Sequence, residues 1–212
     1  MVLQTSGRGF DPLCAHHPAG GGTHVELSAL LRPLLAAYRP ASREEWEATV
    51  RALWDVASHR EERYAALALA KHRSARGWLD AAVLPLVHHL VVTGAWWDYV
   101  DDVAANLVGP ALVADRERAT PLLRAWASDE DPWVRRTVVL CQLKSRRDTD
   151  LELLRHAVEC NVDDPSFWLR KAIGWALREY ARLDPEWVRA EVARLDGRIS
   201  GLSRREALKR LA

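Results

Sequence analysis

Apolar residues recur at helical spacing along almost the whole chain. From about Val25 onward, Leu, Val, Ala and Trp return every three or four positions, and no segment alternates with the period of two that is typical of a strand. This pattern predicts an all-α fold of about ten or eleven helices in one domain over residues 25–212. Residues 1–24 have no helical period and contain a glycine run at 20–22. We therefore expect a poorly structured N-terminal lead-in.

Two short motifs mark helix starts. A serine followed three residues later by glutamate fits a capping box, in which each side chain satisfies a free backbone N–H. A polar residue followed by proline fits an N-cap with proline at the first helical position, where its missing N–H is not needed. These motifs predict helix starts at Ser42, Ser58, Thr120-Pro121, Asp131-Pro132, Asp164-Pro165, Asp184-Pro185 and Ser203.

The segments also repeat along the chain. Trp97, Trp133 and Trp168 each begin a similar stretch, and they lie 36 and 35 positions apart. A period of this length with two helices per unit is typical of a HEAT-like α-solenoid of stacked antiparallel helix pairs. In this register the three tryptophans take equivalent places on successive helices, as do Arg136 and Lys171.

Composition and charge narrow the possible settings. The chain has 212 residues, a formal net charge of +1 and three cysteines, so overall charge does not indicate a partner and no disulfide framework is expected. The most apolar stretch, at 81–92, is too short to span a bilayer. No phosphate-binding glycine loop, nucleophile motif or familiar zinc spacing is present. We predict a cytoplasmic monomer with no metal and no cofactor.

Several tryptophans lie beside basic residues. Trp46, Trp54, Trp78 and Trp126 fall among aliphatic residues and are expected in the core. Aromatic faces interleaved with Arg and Lys suit nucleic acid, because bases stack and phosphates pair. Helices that pack sideways with a solvated basic face would give the same pattern, and the sequence leaves both interpretations open. The candidate DNA-binding residues are Arg135, Arg136, Lys144, Trp168, Lys171 and Arg178.

One acidic helix could carry chemistry. Trp97 and Asp101 are four positions apart and share a helix face, and Asp98 and Asp102 form a second such pair one step around. At most one pair can point into a groove. A carboxylate beside an aromatic wall can stabilise a cationic intermediate, whereas acidic residues at a helix start are also explained by the helix dipole.

Four segments together resemble one known family. They are residues 96–101, 133–137 with 142–144, 171–180 and 202–207, and in this order they are similar to the AlkD family of DNA alkylation repair glycosylases. The resemblance covers the chain from about Ser42 to the end. The stretch from Phe10 to Gly22 does not match the helix pair with which such proteins usually begin.

The resemblance implies a fold, a reaction and a site. The family is a HEAT-like solenoid that excises positively charged N3- and N7-alkylated purines from double-stranded DNA without metal or cofactor. By resemblance, Asp101 is the catalytic carboxylate, and Trp97 and Trp175 are the aromatic walls around the deoxyribose. Arg136 then contacts the DNA backbone, and Lys144 and Arg178 support phosphate binding.

The residue types suit this reaction. An N-alkylated purine is already a cationic leaving group and needs no general acid, so a single carboxylate can stabilise the oxocarbenium-like sugar. Two alternatives remain at this point: a non-catalytic HEAT-like binder of damaged or branched DNA, and a protein-interaction scaffold. The glycosylase hypothesis requires Trp97, Asp101, Arg136 and Trp175 to share one surface.

Overall fold

The computed structural model describes residues 24–211, and all regular structure within this range is helical. None of its helices combines the length and the apolarity needed to cross a membrane. The predicted lead-in lies outside the described residues, apart from His24, which begins the first helix. The helices are α1 (His24–Ala37), α2 (Arg43–Asp55), α3 (Arg60–Ala70), α4 (Leu84–Gly94), α5 (Trp97–Val103), α6 (Gly109–Ala114), α7 (Arg116–Trp126), α8 (Pro132–Leu140), α9 (Leu151–Asn161), α10 (Phe167–Tyr180), α11 (Pro185–Arg194) and α12 (Gly201–Leu208).

The helices form the predicted α-solenoid. Within each repeat one helix packs against the next: α2 on α3, α4 on α5, α7 on α8, α9 on α10 and α11 on α12. The second helices of these pairs also contact each other in chain order, so that α3, α5, α8, α10 and α12 form one row, here called the inner row. Because each pair leaves an apolar face uncovered, stacking of neighbours builds one continuous core.

The core contains the aromatic residues that the helical spacing placed there. Trp46 and Trp54 are fully buried. The Trp46 ring packs against Trp78, with 5.8 Å between ring centroids, and the Trp54 Nε1 donates a hydrogen bond of 2.8 Å to the Thr93 hydroxyl. Trp126 is partly buried against the same core. These contacts join the first helix pair to the next and confirm the core assignment.

A π-turn at Ala104–Val108 joins α5 to α6. Pro110 cannot donate a hydrogen bond to the carbonyl four residues before it, and the helix here adopts the wider i→i+5 pattern, in which the Gly109 N–H bonds to the Ala104 carbonyl. A Cβ on Gly109 would lie 2.4 Å from the carbonyl oxygen of Cys141, so only glycine allows this helix to approach α8 so closely. Residues 24–211 contain twelve α-helices where ten or eleven were predicted, and α5 and α6 are two parts of one helical segment.

Three of the predicted helix starts are confirmed by side-chain caps. Asp131 and Asp184 precede α8 and α11, and their carboxylates accept hydrogen bonds from the backbone N–H groups of Trp133 and Trp187. The Ser42 hydroxyl caps α2 in the same way.

Four predicted starts were wrong, because each of these helices begins at another residue. Asp115 caps α7, which leaves Pro121 inside that helix. The Asp164 carboxylate accepts from the Ser166 N–H in a turn that precedes α10. In the other two cases α3 begins after His59, and α12 begins after Ser200, whose hydroxyl accepts from the Ser203 N–H. In α12 the Glu206 side chain is therefore free for another role.

Candidate functional site

A cavity of about 390 Å³ opens along the inner row. It is here called the cleft, and α5, α8, α10 and α12 all contribute to it. The three predicted catalytic residues line it together with four predicted DNA-binding residues, and Phe167 and Glu206 line it although the sequence did not single them out. The lining residues are Trp97, Asp101, Arg136, Phe167, Trp168, Lys171, Trp175, Arg178 and Glu206.

Asp101 and Arg136 form a bidentate ion pair in the wall of the cleft. Arg136 Nε donates to Asp101 Oδ1 at 2.7 Å, and Arg136 Nη2 donates to Oδ2 at 2.8 Å. The remaining Arg136 nitrogen, Nη1, donates to the backbone carbonyl of Trp168. The side chains are only 11% exposed for Asp101 and 4% for Arg136. All three Arg136 nitrogens are therefore occupied by protein acceptors.

The Asp101 carboxylate lies between two openings. It lines the cleft, and with Trp175 it also lines a neighbouring cavity that Lys144 and Glu179 border. Burial raises the pKa of Asp101 above that of an ordinary aspartate, and the Arg136 guanidinium opposes this rise. The carboxylate is thus a weakly solvated anion, fixed in orientation, at the junction of two accessible spaces.

Trp168 is the centre of an aromatic cluster at one end of the cleft. Its ring stacks on Trp97, with 6.4 Å between centroids and an interplanar angle of 12°. Trp133 and Phe167 also pack on Trp168, with centroids 5.9 Å and 5.2 Å away. Trp97 and Phe167 remain exposed, at 36% and 54%. The cluster therefore offers apolar faces for stacking beside Asp101.

Glu206 of α12 neutralises cations that line the same cleft. Its carboxylate accepts a hydrogen bond of 3.0 Å from Lys171 Nζ and a second bond from Arg178 Nη1. The hydrogen bond from Lys171 is the main reason why the pKa of Glu206 is lowered. Gly174 permits this contact, because a Cβ there would lie 2.5 Å from Glu206 Cβ and 2.9 Å from the Ser203 carbonyl oxygen.

A chain of polar side chains holds Lys144 next to the cleft. Lys144 Nζ donates to Asn106 Oδ1 at 2.6 Å, and Asn106 Nδ2 donates to Asp102 Oδ1 at 2.5 Å. Asp102 in turn pairs with Lys71 Nζ at 2.5 Å. These hydrogen bonds connect three repeats and fix the position of the Lys144 ammonium group.

The structure separates other predicted residues from the cleft. Arg135 forms an ion pair of 3.1 Å with Asp164 and does not line the cleft. Asp98 pairs with Arg60 at 2.6 Å and, with Asp102, lines a different cavity. Of the two pairs spaced four apart on α5, the pair of Trp97 and Asp101 thus lines the cleft.

The sequence contains a signal for Glu206 in addition to the capping motif that Ser203 and Glu206 form. Glu206 lies 35 residues after its partner Lys171, which is the same separation as that between Asp101 and Arg136. One repeat length therefore connects facing positions on neighbouring inner helices. Among residues 24–211 no group of three or more His, Cys, Asp or Glu side chains is arranged to hold a metal ion.

Comparisons with known proteins agree with the fold. A family model described as DNA alkylation repair enzyme matches residues 13–211. A solved structure described as a predicted DNA alkylation repair enzyme from Enterococcus faecalis superposes with a TM-score of 0.78 at 28% sequence identity, covering 89% of this chain and 85% of that one. No curated protein matches the sequence.

Proposed function

We propose that this chain, which belongs to the DNA alkylation repair enzyme family, is a DNA glycosylase. Its proposed substrates are cationic N3- and N7-alkylated purines in double-stranded DNA. The observation that carries the proposal is the position of Asp101. Its oriented, weakly solvated carboxylate lies in one cleft with the exposed ring of Trp97 and with Trp175.

The proposed reaction is hydrolysis of the N-glycosidic bond. The bond between the purine nitrogen and C1′ breaks, the electron pair leaves with the alkylated base, and the base becomes neutral. Water adds to the oxocarbenium-like sugar at C1′ and loses a proton, which leaves an abasic site. The positive charge moves from the base to the sugar in the transition state, so a fixed anion near the sugar lowers the barrier.

Four side chains of the cleft have distinct parts in this proposal. Asp101 provides the negative charge that faces the developing cation. Trp97 and Trp175 provide aromatic faces, which attract a cation and displace water from around it. Arg136 is a positioning residue, because its two hydrogen bonds fix both Asp101 oxygens before substrate arrives.

The non-catalytic alternative has one observation in its favour. Arg136 contacts both oxygens of Asp101, and such a buried pair can serve the fold alone. In that case the cleft would bind damaged or branched DNA without cleaving it. The two functions differ in one measurable product, the free alkylated base.

The test is base release from double-stranded DNA treated with a methylating agent. Enzyme in excess over DNA should release 3-methyladenine or 7-methylguanine faster than the spontaneous rate in matched buffer, and unmethylated DNA should release no base. A parallel binding titration separates the alternatives. Binding without release would support the non-catalytic binder, and the absence of both would favour a protein-interaction scaffold.

A further inference from the structure

Another cavity, larger than the cleft, lies at the C-terminal ends of α8 and α10. Its volume is about 690 Å³, and it is here called the side groove. Its lining includes Lys144, Arg146, Glu179, Tyr180 and Arg182. Lys144 and Glu179 also border the cavity that Asp101 and Trp175 line, so the side groove continues from the candidate active site.

The side groove carries cations that no carboxylate balances. Lys144 donates to the neutral amide of Asn106. Arg146 has no carboxylate within ion-pair distance among the described residues, whereas Glu179 is already engaged by Arg182 at 3.0 Å. In the cleft, by contrast, Arg136, Lys171 and Arg178 are all paired with carboxylates. The uncompensated positive charge next to the active site therefore lies in the side groove.

Arg146 has a backbone conformation that its residue type does not favour. Its φ is +52°, in the left-handed region where glycine or asparagine is usual. A side chain with a Cβ loses about 1 kcal/mol in this region. The unfavourable conformation brings a long cationic side chain to the rim of the groove, in the short 3₁₀ turn Arg146–Asp148 that follows α8.

By resemblance Lys144 already supports phosphate binding. We propose that the side groove extends this backbone contact into a phosphate subsite for the DNA strand as it leaves the cleft, with Arg146 as the further ligand. The Tyr180 ring and the Leu183 side chain, which also line the groove, would contact the adjoining sugar. This subsite rests on the DNA-binding part of the proposed function, because it assumes that DNA occupies the cleft, and it does not depend on base release. A phosphodiester suits the groove because it is an anion with an apolar sugar on each side.

The test compares two neighbouring arginines in duplex DNA binding. Arg146→Gln removes a charge from the groove, and Arg147→Gln removes the same charge from the next residue, which is exposed and does not line the groove. An unmodified fluorescent duplex is titrated at several salt concentrations. Arg146→Gln should weaken binding about tenfold at low salt. It should also reduce the slope of log affinity against log salt by about 0.9, the change expected for one lost phosphate contact. Arg147→Gln should lose clearly less affinity.

A third variant separates binding from folding. Arg146→Gly should melt at the same temperature as the wild type or higher, because glycine accepts the left-handed conformation, and it should lose DNA affinity as Arg146→Gln does. Equal losses for the variants at 146 and 147 would overturn the subsite. A second result would also overturn it: inorganic phosphate binds in a way that depends on Arg146, while Arg146→Gln leaves the salt dependence of duplex binding unchanged. The groove would then bind a free anion and not the DNA strand. Wild-type protein that binds duplex DNA but releases no methylated base would refute the proposed function and leave the subsite intact.

Discussion

Arg136 holds Asp101 from the next inner helix, with its Nε and Nη2 atoms 2.7 and 2.8 Å from the two carboxylate oxygens. The residues lie 35 positions apart, which is one repeat of the solenoid. The stacking of repeats therefore decides where the carboxylate points. A residue that is catalytic in the proposed mechanism is at the same time part of the joint between two helices.

We expect this joint to contribute to stability. Arg136→Met should lower the free energy of unfolding by about 3 kcal/mol or more, because the buried carboxylate of Asp101 then lacks its partner. The double variant Asp101→Asn/Arg136→Met should be more stable than Arg136→Met alone, since no buried charge remains. Urea unfolding of the wild type, of Asp101→Asn, of Arg136→Met and of the double variant gives the coupling energy between the two residues. If the single effects simply add, the two residues are not coupled.

Glu206 should weaken DNA binding by neutralising Lys171 and Arg178. We expect Glu206→Gln to bind duplex DNA more tightly, with a steeper dependence on salt, because both cations become available to phosphate. Asp163→Asn makes the same charge change at an exposed carboxylate that pairs with Arg198 and does not line the cleft. If both variants raise affinity equally, only net charge matters and Glu206 has no local effect.

Gly174 should be needed for the seating of α12 on α10. Gly174→Ala brings a Cβ to 2.9 Å from the Ser203 backbone carbonyl oxygen, so the helix must move. We expect a loss of about 1 to 3 kcal/mol in the free energy of unfolding. Gly77→Ala is the matched control, because nothing lies within 4 Å of a Cβ there. Equal melting temperatures for wild type and Gly174→Ala would show that the α12 contact tolerates the added methyl group.

The sequence predicted the repeat and the core, and it was less accurate for the ends of helices. Trp46 and Trp54 could be placed in the core because burial follows helical spacing, a local property. The start of α12 was predicted at Ser203, whereas Ser200 is the cap, because both serines can cap a helix and the local motif alone does not distinguish them.

The candidate site was partly accessible from the sequence. The resemblance indicated Trp97, Asp101 and Trp175, and the structure brings them to one cleft. The pairing of Arg136 with Asp101 was not foreseen, because it depends on how two helices stack rather than on either segment. The same reason hid Glu206, whose partners lie a full repeat earlier in the chain.

The proposed role of Asp101 also predicts a dependence on pH. Only the ionised carboxylate opposes positive charge, so the rate of base release should fall as pH falls through the pKa of Asp101. Burial raises this pKa, so the acidic limb should lie above that of an ordinary aspartate. Single-turnover rates from about pH 4 to about pH 8, corrected for spontaneous depurination, measure it. A rate that does not change with pH in this range would contradict ionised Asp101 as the essential group.

Asp101→Asn tests the central claim most directly. The amide oxygen can still accept from Arg136, but the negative charge is lost. The variant should be somewhat less stable, since Arg136 then carries a buried charge without an anionic partner, and its melting curve sets a temperature at which it remains folded. Asp98→Asn is the control, because it makes the same change on the same helix at a residue that pairs with Arg60 away from the cleft.

The decisive measurement is the single-turnover release of methylated purines by folded Asp101→Asn, beside a titration of its DNA binding. We predict that release falls roughly 100- to 1,000-fold, the loss typical of one preorganised electrostatic group, while DNA binding is retained or becomes tighter because one anion near the phosphates has gone. Asp98→Asn should keep most of its release. Release by Asp101→Asn at the wild-type rate would contradict the mechanism, and a parallel loss of binding and release would assign Asp101 a structural role instead.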